Sequence, residues 1–438
     1  MDKYFWLETY GCQMNFAESN TLEKDLLILG WEKAADYSSA SLVIINTCSV
    51  RKSAEERIYG ILGKYRALKK RKKFLLVLMG CMAEYYKGEM RNSAPHIDVI
   101  VGTYQKNAFI ELIKKNDNNR NIKKDLFQTE KYQFPEIYGS KSQLKYLMPI
   151  MHGCNNYCSY CVVPYTRGNE VSRNSREILE EVDFLQNSDV REITLVGQNV
   201  NSYKWKHNNG SIDFPELLKM IVEKNKTIDR VRFITSHPKD FSEKLIDVIS
   251  SSQSICNHIH LPLQHGSDRI LRLMNRKYAI RDYLKLVDLI RKKIPDIALS
   301  TDILIGFPGE TENDFLETID VLKKIRFNEA FTYYYNRREG TKADSMGGHL
   351  PKKLKINRLN KIIEIQNRIT IEKNEDKIGK KLKILVEGIS KRNRSELIGR
   401  TEYNEMVVFR GEKVLVNSLC DILVKSISGK TLYGTEVG

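Results

Sequence analysis

Three cysteines crowd into one short stretch of the chain, His152-Gly-Cys154-Asn-Asn-Tyr-Cys158-Ser-Tyr-Cys161. Thiolates are the ligands that iron–sulfur clusters require. Three of them hold three irons of a four-iron cluster and leave the fourth iron open to another ligand. A structural zinc ion would instead need a fourth donor to complete its tetrahedron, and His152 is available for that role. The spacing favours a cluster with an open iron and keeps zinc as the alternative.

A second set of three cysteines is spread over the first part of the chain, where Cys12, Cys48 and Cys81 are 36 and 33 residues apart. Each follows a predicted strand of a parallel sheet, and the carboxyl ends of such strands meet at one edge, where ligands bind. Taken alone, each cysteine is better explained as a small buried hydrophobic residue. Their shared position predicts that the three can converge on a second cluster.

The sheet that would position Cys12, Cys48 and Cys81 is predicted from an alternation of strand and helix patterns. Strands are expected near 3–9, 41–46, 74–79 and 97–101, and helices near 16–30, 52–70 and 104–115. Such alternation is typical of a parallel sheet with helices on both faces. The polar stretch that follows, 114–124, reads as a linker or an exposed loop.

A longer alternation begins at about residue 145 and would position the Cys154–Cys161 loop. Strands are expected near 146–151, 191–197, 230–235, 257–262, 297–305 and 327–335, with helices near 175–188, 214–225, 241–251, 280–293 and 312–325. Six repeats predict a partial (β/α)6 barrel, in which the chemistry lies at the carboxyl ends of the strands. Polar residues at those ends either contact a ligand or cap helices and turns: Gln198, Asn199, Ser236, His237, Gln264 and Asp302.

The last part of the chain has a different pattern of predicted elements. A basic helix is predicted over 351–376, and short strands follow at 383–387, 397–400, 406–409, 413–416 and 420–424. This pattern predicts a small β-barrel that is compatible with OB-like folds. The fold class is therefore α/β with three parts: a parallel-sheet domain over 1–118, a barrel core over 140–370 and a small β-barrel over 373–437.

Charge and composition narrow the function further. The 438 residues carry a formal net charge of +16, and 41% of them are hydrophobic, which excludes wholesale disorder. Residues 345–394 hold 14 lysines and arginines against 5 acidic residues, and 64–73 hold seven basic residues without an acid. A positive electrostatic field of this kind favours binding of a polyanion, most commonly nucleic acid. The alternative is that the charge only keeps the protein soluble.

Location and redox state can also be predicted from the composition. No apolar run reaches the length of about 20 residues that spans a bilayer, and no signal-peptide core forms at the amino terminus. We expect a cytoplasmic protein without membrane contact. Eight cysteines are too few for a disulfide framework in a chain of this length. Cys256 and Cys420, which have no partners in the pattern, are interpreted as structural.

The Cys-x3-Cys-x2-Cys spacing at the mouth of a predicted barrel resembles the radical S-adenosylmethionine superfamily. The resemblance implies a [4Fe–4S] cluster on Cys154, Cys158 and Cys161 whose open iron chelates S-adenosylmethionine. Cleavage of that cofactor would release a 5′-deoxyadenosyl radical. It further implies that Tyr160 contacts the adenine. Contacts from Gln198, Asn199, Ser236, Gln264 and Asp302 to the cofactor are expected from their strand-end positions.

The similarity extends along the chain to the methylthiotransferases within that superfamily. It is carried by Thr9-Tyr-Gly-Cys-Gln-Met-Asn15, Asn46-Thr-Cys-Ser-Val50, Met79-Gly-Cys-Met82, Val163-Pro-Tyr-Thr-Arg-Gly168, His260-Leu-Pro-Leu-Gln264 and Ser300-Thr-Asp-Ile-Leu-Ile-Gly-Phe-Pro-Gly-Glu310. The carboxyl-terminal strands are similar to the RNA-binding TRAM domain. The resemblance implies a second [4Fe–4S] cluster, on Cys12, Cys48 and Cys81, that serves sulfur or methylthio transfer. No catalytic residue beyond the six cluster ligands is predicted.

The residues around Cys12 resemble the branch that acts on isopentenylated adenosine at position 37 of tRNA, in the anticodon loop. The implied reaction adds a methylthio group at C2 of that base, with electrons from a donor such as flavodoxin or ferredoxin. One alternative is a methylthiotransferase for threonylcarbamoyladenosine or for a ribosomal protein. An alternative of another class is a zinc-stabilised RNA-binding protein.

Overall fold

A parallel six-stranded sheet forms the amino-terminal part of the protein. The computed structural model describes residues 3–49, 52–115, 122–127, 132–135, 137, 143–207 and 210–437. The sheet has the order β2-β1-β3-β4-β5-β6, and every neighbouring pair is parallel. Its elements are β1 (Tyr4–Thr9), α1 (Gln13–Ile28), β2 (Glu32–Lys33), β3 (Leu42–Thr47), α2 (Lys52–Lys69), β4 (Leu75–Gly80), α3 (Cys81–Ser93), β5 (Val99–Val101), α4 (Lys106–Lys115) and β6 (Lys124–Leu126).

The two faces of this sheet bury separate apolar clusters, because successive residues of a strand point to opposite sides. Leu42 and Ile44 of β3 pack with α1 and α4, whereas Val43 and Ile45 pack with α2 and α3. The predicted parallel sheet with helices on both faces is confirmed. Helix α3 was not predicted, because only its first turn and Met90 are buried, and because Lys87 breaks the helical backbone.

The central part is an open barrel of six parallel strands in two arcs, β7-β10-β13 and β14-β15-β16. A bridge between Val231 and Ile255 joins the arcs. The six strands are β7 (Lys145–Pro149), β10 (Glu192–Val196), β13 (Arg230–Phe233), β14 (His258–His260), β15 (Ala298–Ile305) and β16 (Glu329–Tyr334). The predicted (β/α)6 barrel is confirmed, and its core is the largest apolar cluster of the described residues.

The helices around the barrel lie close to their predicted positions. They are α6 (Ser175–Leu185), α7 (Phe214–Lys224), α8 (Glu243–Ser250), α10 (Ile280–Lys293) and α11 (Glu312–Ile325). Unpredicted short elements decorate the strand ends: β8 (Met151–His152), α5 (Val163–Arg167), β9 (Val171–Ser172), the hairpin β11 (Lys204–His207) with β12 (Gly210–Asp213), and α9 (Asp268–Leu273).

Helix α12 (Lys352–Glu375) leads into a closed barrel of five strands with the order β17-β18-β19-β21-β20. These are β17 (Lys381–Ile389), β18 (Glu396–Thr401), β19 (Met406–Arg410), β20 (Leu419–Ser428) and β21 (Thr431–Glu436). The strand expected at 413–416 is wrong: Lys413–Leu415 form a 3₁₀ turn, and Val414 is 80% exposed. An apolar run forms a strand only where it is buried. The strand that closes the barrel is β21, which was not predicted.

The small barrel docks on the end of the central barrel that is opposite to the cysteine loop. Arg230 and Arg232 of β13 donate to carbonyl oxygens of Arg400 and Glu402 at 2.8 and 3.0 Å. Arg230 is the first residue of its strand, so this contact closes the amino-terminal end of the barrel. The amino-terminal sheet lies at the other end of the central barrel, where the carboxyl ends of the barrel strands are. No helix in the described ranges is long and apolar enough to cross a membrane.

Candidate active site

The Cys154–Cys161 loop follows β8 at the carboxyl end of the first barrel strand, and each sulfur in it already has a hydrogen-bond donor. Asn156 Nδ2 lies 3.5 Å from Cys154 Sγ, Val163 N lies 3.5 Å from Cys161 Sγ, and Arg276 Nη1 lies 3.4 Å from Cys158 Sγ. Hydrogen bonds to the sulfurs are a main way in which proteins stabilise and tune iron–sulfur clusters. The donors fit a bound cluster.

Burial favours the protonated form of two thiols of this loop, Cys154 and Cys161. It raises the pKa of Cys154 to about 11 and also raises the pKa of Cys161. Metal binding must then release protons from these groups, since only thiolates are ligands.

Neighbouring side chains hold the ring of His152, the fourth donor that the zinc alternative would use, and its Nε2 atom has no hydrogen-bond partner. Its ring stacks on Tyr132 with centroids 3.6 Å apart, and its Nδ1 lies 3.4 Å from Arg167 Nη1. Burial, together with that guanidinium, holds the pKa of His152 well below its ordinary value. Within the described residues, no three Cys, His, Asp or Glu side chains converge on a single ion position. A four-iron cluster instead spreads its thiolates over separate irons.

The loops that carry Cys12, Cys48 and Cys81 pack tightly against one another because glycines precede two of the cysteines. Gly11 has φ +152°, and a Cβ there would lie 2.7 Å from the Cβ of Cys48. Gly80 has φ +93°, and a Cβ there would lie 2.5 Å from both Asn46 Oδ1 and the carbonyl oxygen of Thr47. Only glycine permits these backbones and contacts together.

Two buried asparagines tie the first two of these loops together. Asn15 Nδ2 donates to Asn46 Oδ1 and to the carbonyl oxygen of Thr47, each at 3.0 Å. Asn46 Nδ2 returns a bond to the carbonyl oxygen of Asn15 at 2.9 Å, and Cys12 Sγ lies 3.1 Å from Asn15 Oδ1. The structure therefore brings the three cysteine loops to one sheet edge. The assignment of their sulfurs to one cluster remains a proposal.

Replacing Gly80 by alanine should disrupt this edge selectively. We expect Gly80→Ala to lower the iron content from about eight to about four per chain, one four-iron unit having been lost. The physical reason is the collision of the new Cβ with Asn46 and Thr47. Gly63→Ala is the matched control, since Gly63 lies in α2 with no atom within 4 Å of an added Cβ. Equal iron in both purified variants would contradict the expectation.

One buried arginine connects the two sets of cysteines. Arg167 Nε lies 3.1 Å from Cys81 Sγ, and Nη1 and Nη2 bind the two carboxylate oxygens of Glu18 at 2.6 and 3.1 Å. The backbone beside it holds the other loop, since Cys154 N donates to the carbonyl oxygen of Gly168 at 3.1 Å. Cys81 of the sheet and Cys154 of the barrel loop thus contact neighbouring residues of one short segment, Arg167 and Gly168.

The strand ends present buried polar atoms that the protein itself does not satisfy. Asn199 Nδ2 donates to Asp240 Oδ2 at 2.9 Å, but Asn199 Oδ1, Gln198 Oε1 and His237 Nε2 have no partner. Burial lowers the pKa of His237 to about 2, so the ring is neutral. Buried polar groups without partners are rare in native proteins and point to an absent ligand or water. The donor and acceptor set fits a polar cofactor such as S-adenosylmethionine.

The other predicted cofactor contacts are engaged to differing degrees. The Ser236 hydroxyl donates to the carbonyl oxygen of His260, and Asp302 Oδ2 lies 3.3 Å from His260 Nε2. The backbone N of Gln264 donates to the carbonyl oxygen of Asp302 at 2.8 Å, and Gln264 has φ +64°. Tyr160 packs edge-on against Phe307, with ring centroids 6.5 Å apart. These residues lie at or beside the carboxyl ends of barrel strands, and their cofactor contacts stay predictions.

Arg167 and Arg276 are the site residues that the sequence analysis did not single out. Both are buried, and both donate to a cysteine sulfur. A signal existed for Arg167, because it stands in the quoted Val163–Gly168 motif as a lone charge beside apolar residues. Arg276 lies outside every quoted motif. Only the fold brings it to Cys158, 118 residues away.

Comparisons with known proteins agree with this geometry. Residues 148–322 match the family model described as Radical SAM superfamily, 4–102 match Uncharacterized protein family UPF0004, and 375–437 match the TRAM domain. Among solved structures, the radical S-adenosylmethionine methyltransferase TsrM from Kitasatospora setae, with cobalamin and a [4Fe–4S] cluster bound, aligns with a TM-score of 0.57 at 14% identity. The alignment covers 78% of this chain and 77% of that one. The fold and the cysteine loop thus define a protein of the radical S-adenosylmethionine class.

Curated relatives give the particular family. A tRNA-2-methylthio-N(6)-dimethylallyladenosine synthase of Treponema denticola is 46% identical over 445 residues, covering 98% of each chain. One of Acetivibrio thermocellus is 41% identical over 439 residues, covering 99% of this chain and 91% of the relative. This chain belongs to the family of tRNA-2-methylthio-N(6)-dimethylallyladenosine synthases.

Proposed function

We propose that this protein converts N6-isopentenyladenosine at position 37 of tRNA into its 2-methylthio derivative. The observation that carries the proposal is Arg167, whose side chain contacts Cys81 while its backbone neighbour Gly168 holds Cys154. A methylthiotransferase needs one centre that activates the substrate carbon and another that delivers sulfur, and the segment Arg167–Gly168 contacts one cysteine of each set. The relatives' names and the three matched family models agree with this reaction.

The protein uses two [4Fe–4S] clusters and S-adenosylmethionine. We assign one cluster to Cys154, Cys158 and Cys161 and the other to Cys12, Cys48 and Cys81. The cofactors supply the radical chemistry that an unactivated C2–H bond requires. The chain's own residues bind and orient: Arg276 and Asn156 hold sulfurs of the barrel loop, while Gln198, Asn199 and His237 offer free polar atoms to the bound cofactor.

The basic carboxyl-terminal region, which contains the TRAM domain, binds the tRNA. Lys391, Arg392 and Arg394 are exposed on the turn between β17 and β18, and Lys352 and Lys353 are exposed at the start of α12. Phosphate contacts from such residues release counterions, so tRNA binding weakens steeply as salt rises. An anticodon-loop base is also cheaper to extrude into a barrel mouth than a paired base. A tRNA substrate further implies that the protein acts in the cytoplasm.

The substrate assignment has a direct test. We expect methylthio product on isopentenylated tRNA and a rate at least about 100-fold lower on the same tRNA without the isopentenyl group. The reason is that a misplaced reacting carbon costs about that factor. Mass spectrometry of the digested nucleosides measures both rates, and threonylcarbamoyladenosine tRNA and a ribosomal protein serve as comparison substrates. Equal turnover of modified and unmodified tRNA would contradict the assignment.

A further inference from the structure

A buried carboxylate, Glu310, ties together the turn that follows barrel strand β15. Its Oε2 accepts from the backbone N of Gly306 at 2.5 Å and from that of Phe307 at 3.2 Å. The side chain of Glu310 is fully buried. A buried charge is kept only where hydrogen bonds and an opposite charge compensate it. The conformation of this turn therefore depends on the partners of Glu310.

The opposite charge comes from α12, the helix that leads into the small barrel. Arg358 Nη1 lies 2.7 Å from Glu310 Oε1, and the side chain of Arg358 is 6% exposed. Three residues earlier in α12, the side chain of Lys355 packs on Gly306, where an added Cβ would lie 2.3 Å from Lys355 Cγ. Helix α12 thus contacts both ends of the turn.

A further partner of Glu310 comes from the end of the neighbouring strand, β14. Nε2 of the buried His265 lies 3.3 Å from Glu310 Oε2. His265 Nδ1 accepts from Ser267 N at 3.1 Å, so the neutral ring carries its proton on Nε2 and donates it to the carboxylate. The ring adds a hydrogen bond in this form but no charge, whereas the Arg358 guanidinium is always charged.

The same turn carries Phe307, which packs beside the cysteine loop of the central barrel. The Phe307 ring meets the ring of Tyr160, in that loop, edge to face with centroids 6.5 Å apart. Phe307 also shares a buried apolar cluster with Met274 and Ala343. Ser159 N donates to the carbonyl oxygen of Met274 at 3.0 Å, and Ala343 N donates to that of Ser159 at 2.7 Å. Phe307 and its cluster therefore support the cysteine loop.

We propose that Arg358 is a positioning residue for the binding of S-adenosylmethionine. It holds Glu310, Glu310 holds the backbone of Phe307, and Phe307 supports the cysteine loop. The inference rests on the proposed function, which assigns the cluster that binds S-adenosylmethionine to this loop. Without the Arg358 charge the carboxylate is buried beside no cation, an arrangement costly enough to displace the turn. The folded protein then binds the cofactor more weakly.

A purely structural role of this ion pair predicts a different result. A pair that only docks α12 on the barrel changes the free energy of unfolding and leaves the cofactor affinity of the folded protein unchanged. Helix α12 offers a matched control in the pair of Arg326 Nη2 with Glu372 Oε2 at 2.7 Å. Glu372 lies 14 residues after Arg358, about 20 Å along the helix. Arg326→Met breaks a contact between α12 and the barrel away from the turn.

The experiment is anaerobic equilibrium dialysis of S-adenosylmethionine against the full-length protein with both clusters. We expect Arg358→Met to raise the Kd for S-adenosylmethionine about 10-fold, with about eight irons per chain and an unchanged Kd for tRNA. Phe307→Leu should raise the Kd for S-adenosylmethionine similarly. The double variant should bind no more weakly than the weaker-binding single variant, because Arg358 acts through Phe307. Arg326→Met should leave this Kd unchanged.

Two results would overturn the proposal. An unchanged Kd in Arg358→Met means that the pair only docks the helix, and effects that multiply to about 100-fold in the double variant mean that Arg358 does not act through Phe307. If Arg358→Met does not fold or lacks iron, Arg358→Lys decides. A lysine cannot reproduce the fork geometry of arginine, so we expect a Kd about threefold higher, and an unchanged Kd again overturns the proposal.

The proposed function is tested separately on the same samples. An unaltered protein that binds S-adenosylmethionine but forms no methylthio nucleoside would contradict the proposed function, while the comparison of cofactor affinities among the variants would still stand.

Discussion

Cys12→Ala is expected to keep cleavage of S-adenosylmethionine at the barrel loop while methylthio product falls below detection. Cys158→Ala is expected to abolish both. The two cysteine sets lie in different domains and have their own hydrogen-bond partners, so loss of one cluster leaves the other a complete site. Iron should fall from about eight to about four per chain in either variant.

The measurement is chromatographic quantification of 5′-deoxyadenosine and methylthio nucleoside from one reaction, with iron determined on the same sample. Cys420→Ala serves as the control, because Cys420 lies in the core of the small barrel far from either set in the fold. It should retain both activities and all the iron. Loss of cleavage in Cys12→Ala would mean that the two sites are not separable.

The amino-acid sequence predicts the architecture well because each part has a strong pattern. Buried parallel strands such as Leu75–Gly80 are continuous apolar runs, and the barrel helices have regular apolar faces. Helix α3 and strand β21 escaped prediction because both are only partly buried, and because Lys87 breaks the helical backbone of α3. The error at 413–416 has the same origin, since local hydrophobicity does not report exposure.

The sequence predicts the residues of the candidate site that stand out by type or position, but not the polar contacts around them. The six cysteines stand out by type and spacing, and strand-end positions indicate Gln198 and Asn199. Arg276 could not be predicted, because its contact with Cys158 spans 118 residues of chain and depends on the path of α9. Likewise, the reciprocal bonds of Asn15 and Asn46 need two loops in register. Long-range polar contacts of this kind leave no periodic trace in a sequence.

Arg167 is expected to be essential for methylthio transfer rather than for stability alone. Its guanidinium touches Cys81, pairs with Glu18 and lies beside His152, and all of these groups are buried. Arg167→Met leaves the Glu18 carboxylate buried and unpaired, which should cost about 3–5 kcal/mol of the free energy of unfolding. We expect product to fall about 100-fold, the effect of misplacing a reacting group by about 1 Å, while S-adenosylmethionine cleavage persists.

Stability and positioning can be separated with two further variants. In Arg167→Met/Glu18→Gln the unpaired charge is removed, so we expect stability to recover in part while product stays low. Arg338→Met breaks a second buried pair between barrel and sheet, Arg338 Nη1 to Glu55 Oε2 at 2.6 Å, and no contact of Arg338 with a cysteine is seen among the described residues. Thermal unfolding, product yield and the reduction potential of the amino-terminal cluster are the readouts. Because Arg167 Nε donates to Cys81 Sγ, only its loss should shift that potential. If Arg167→Met and Arg338→Met lose product equally and the reduction potential of the amino-terminal cluster does not shift, Arg167 only holds the two domains together.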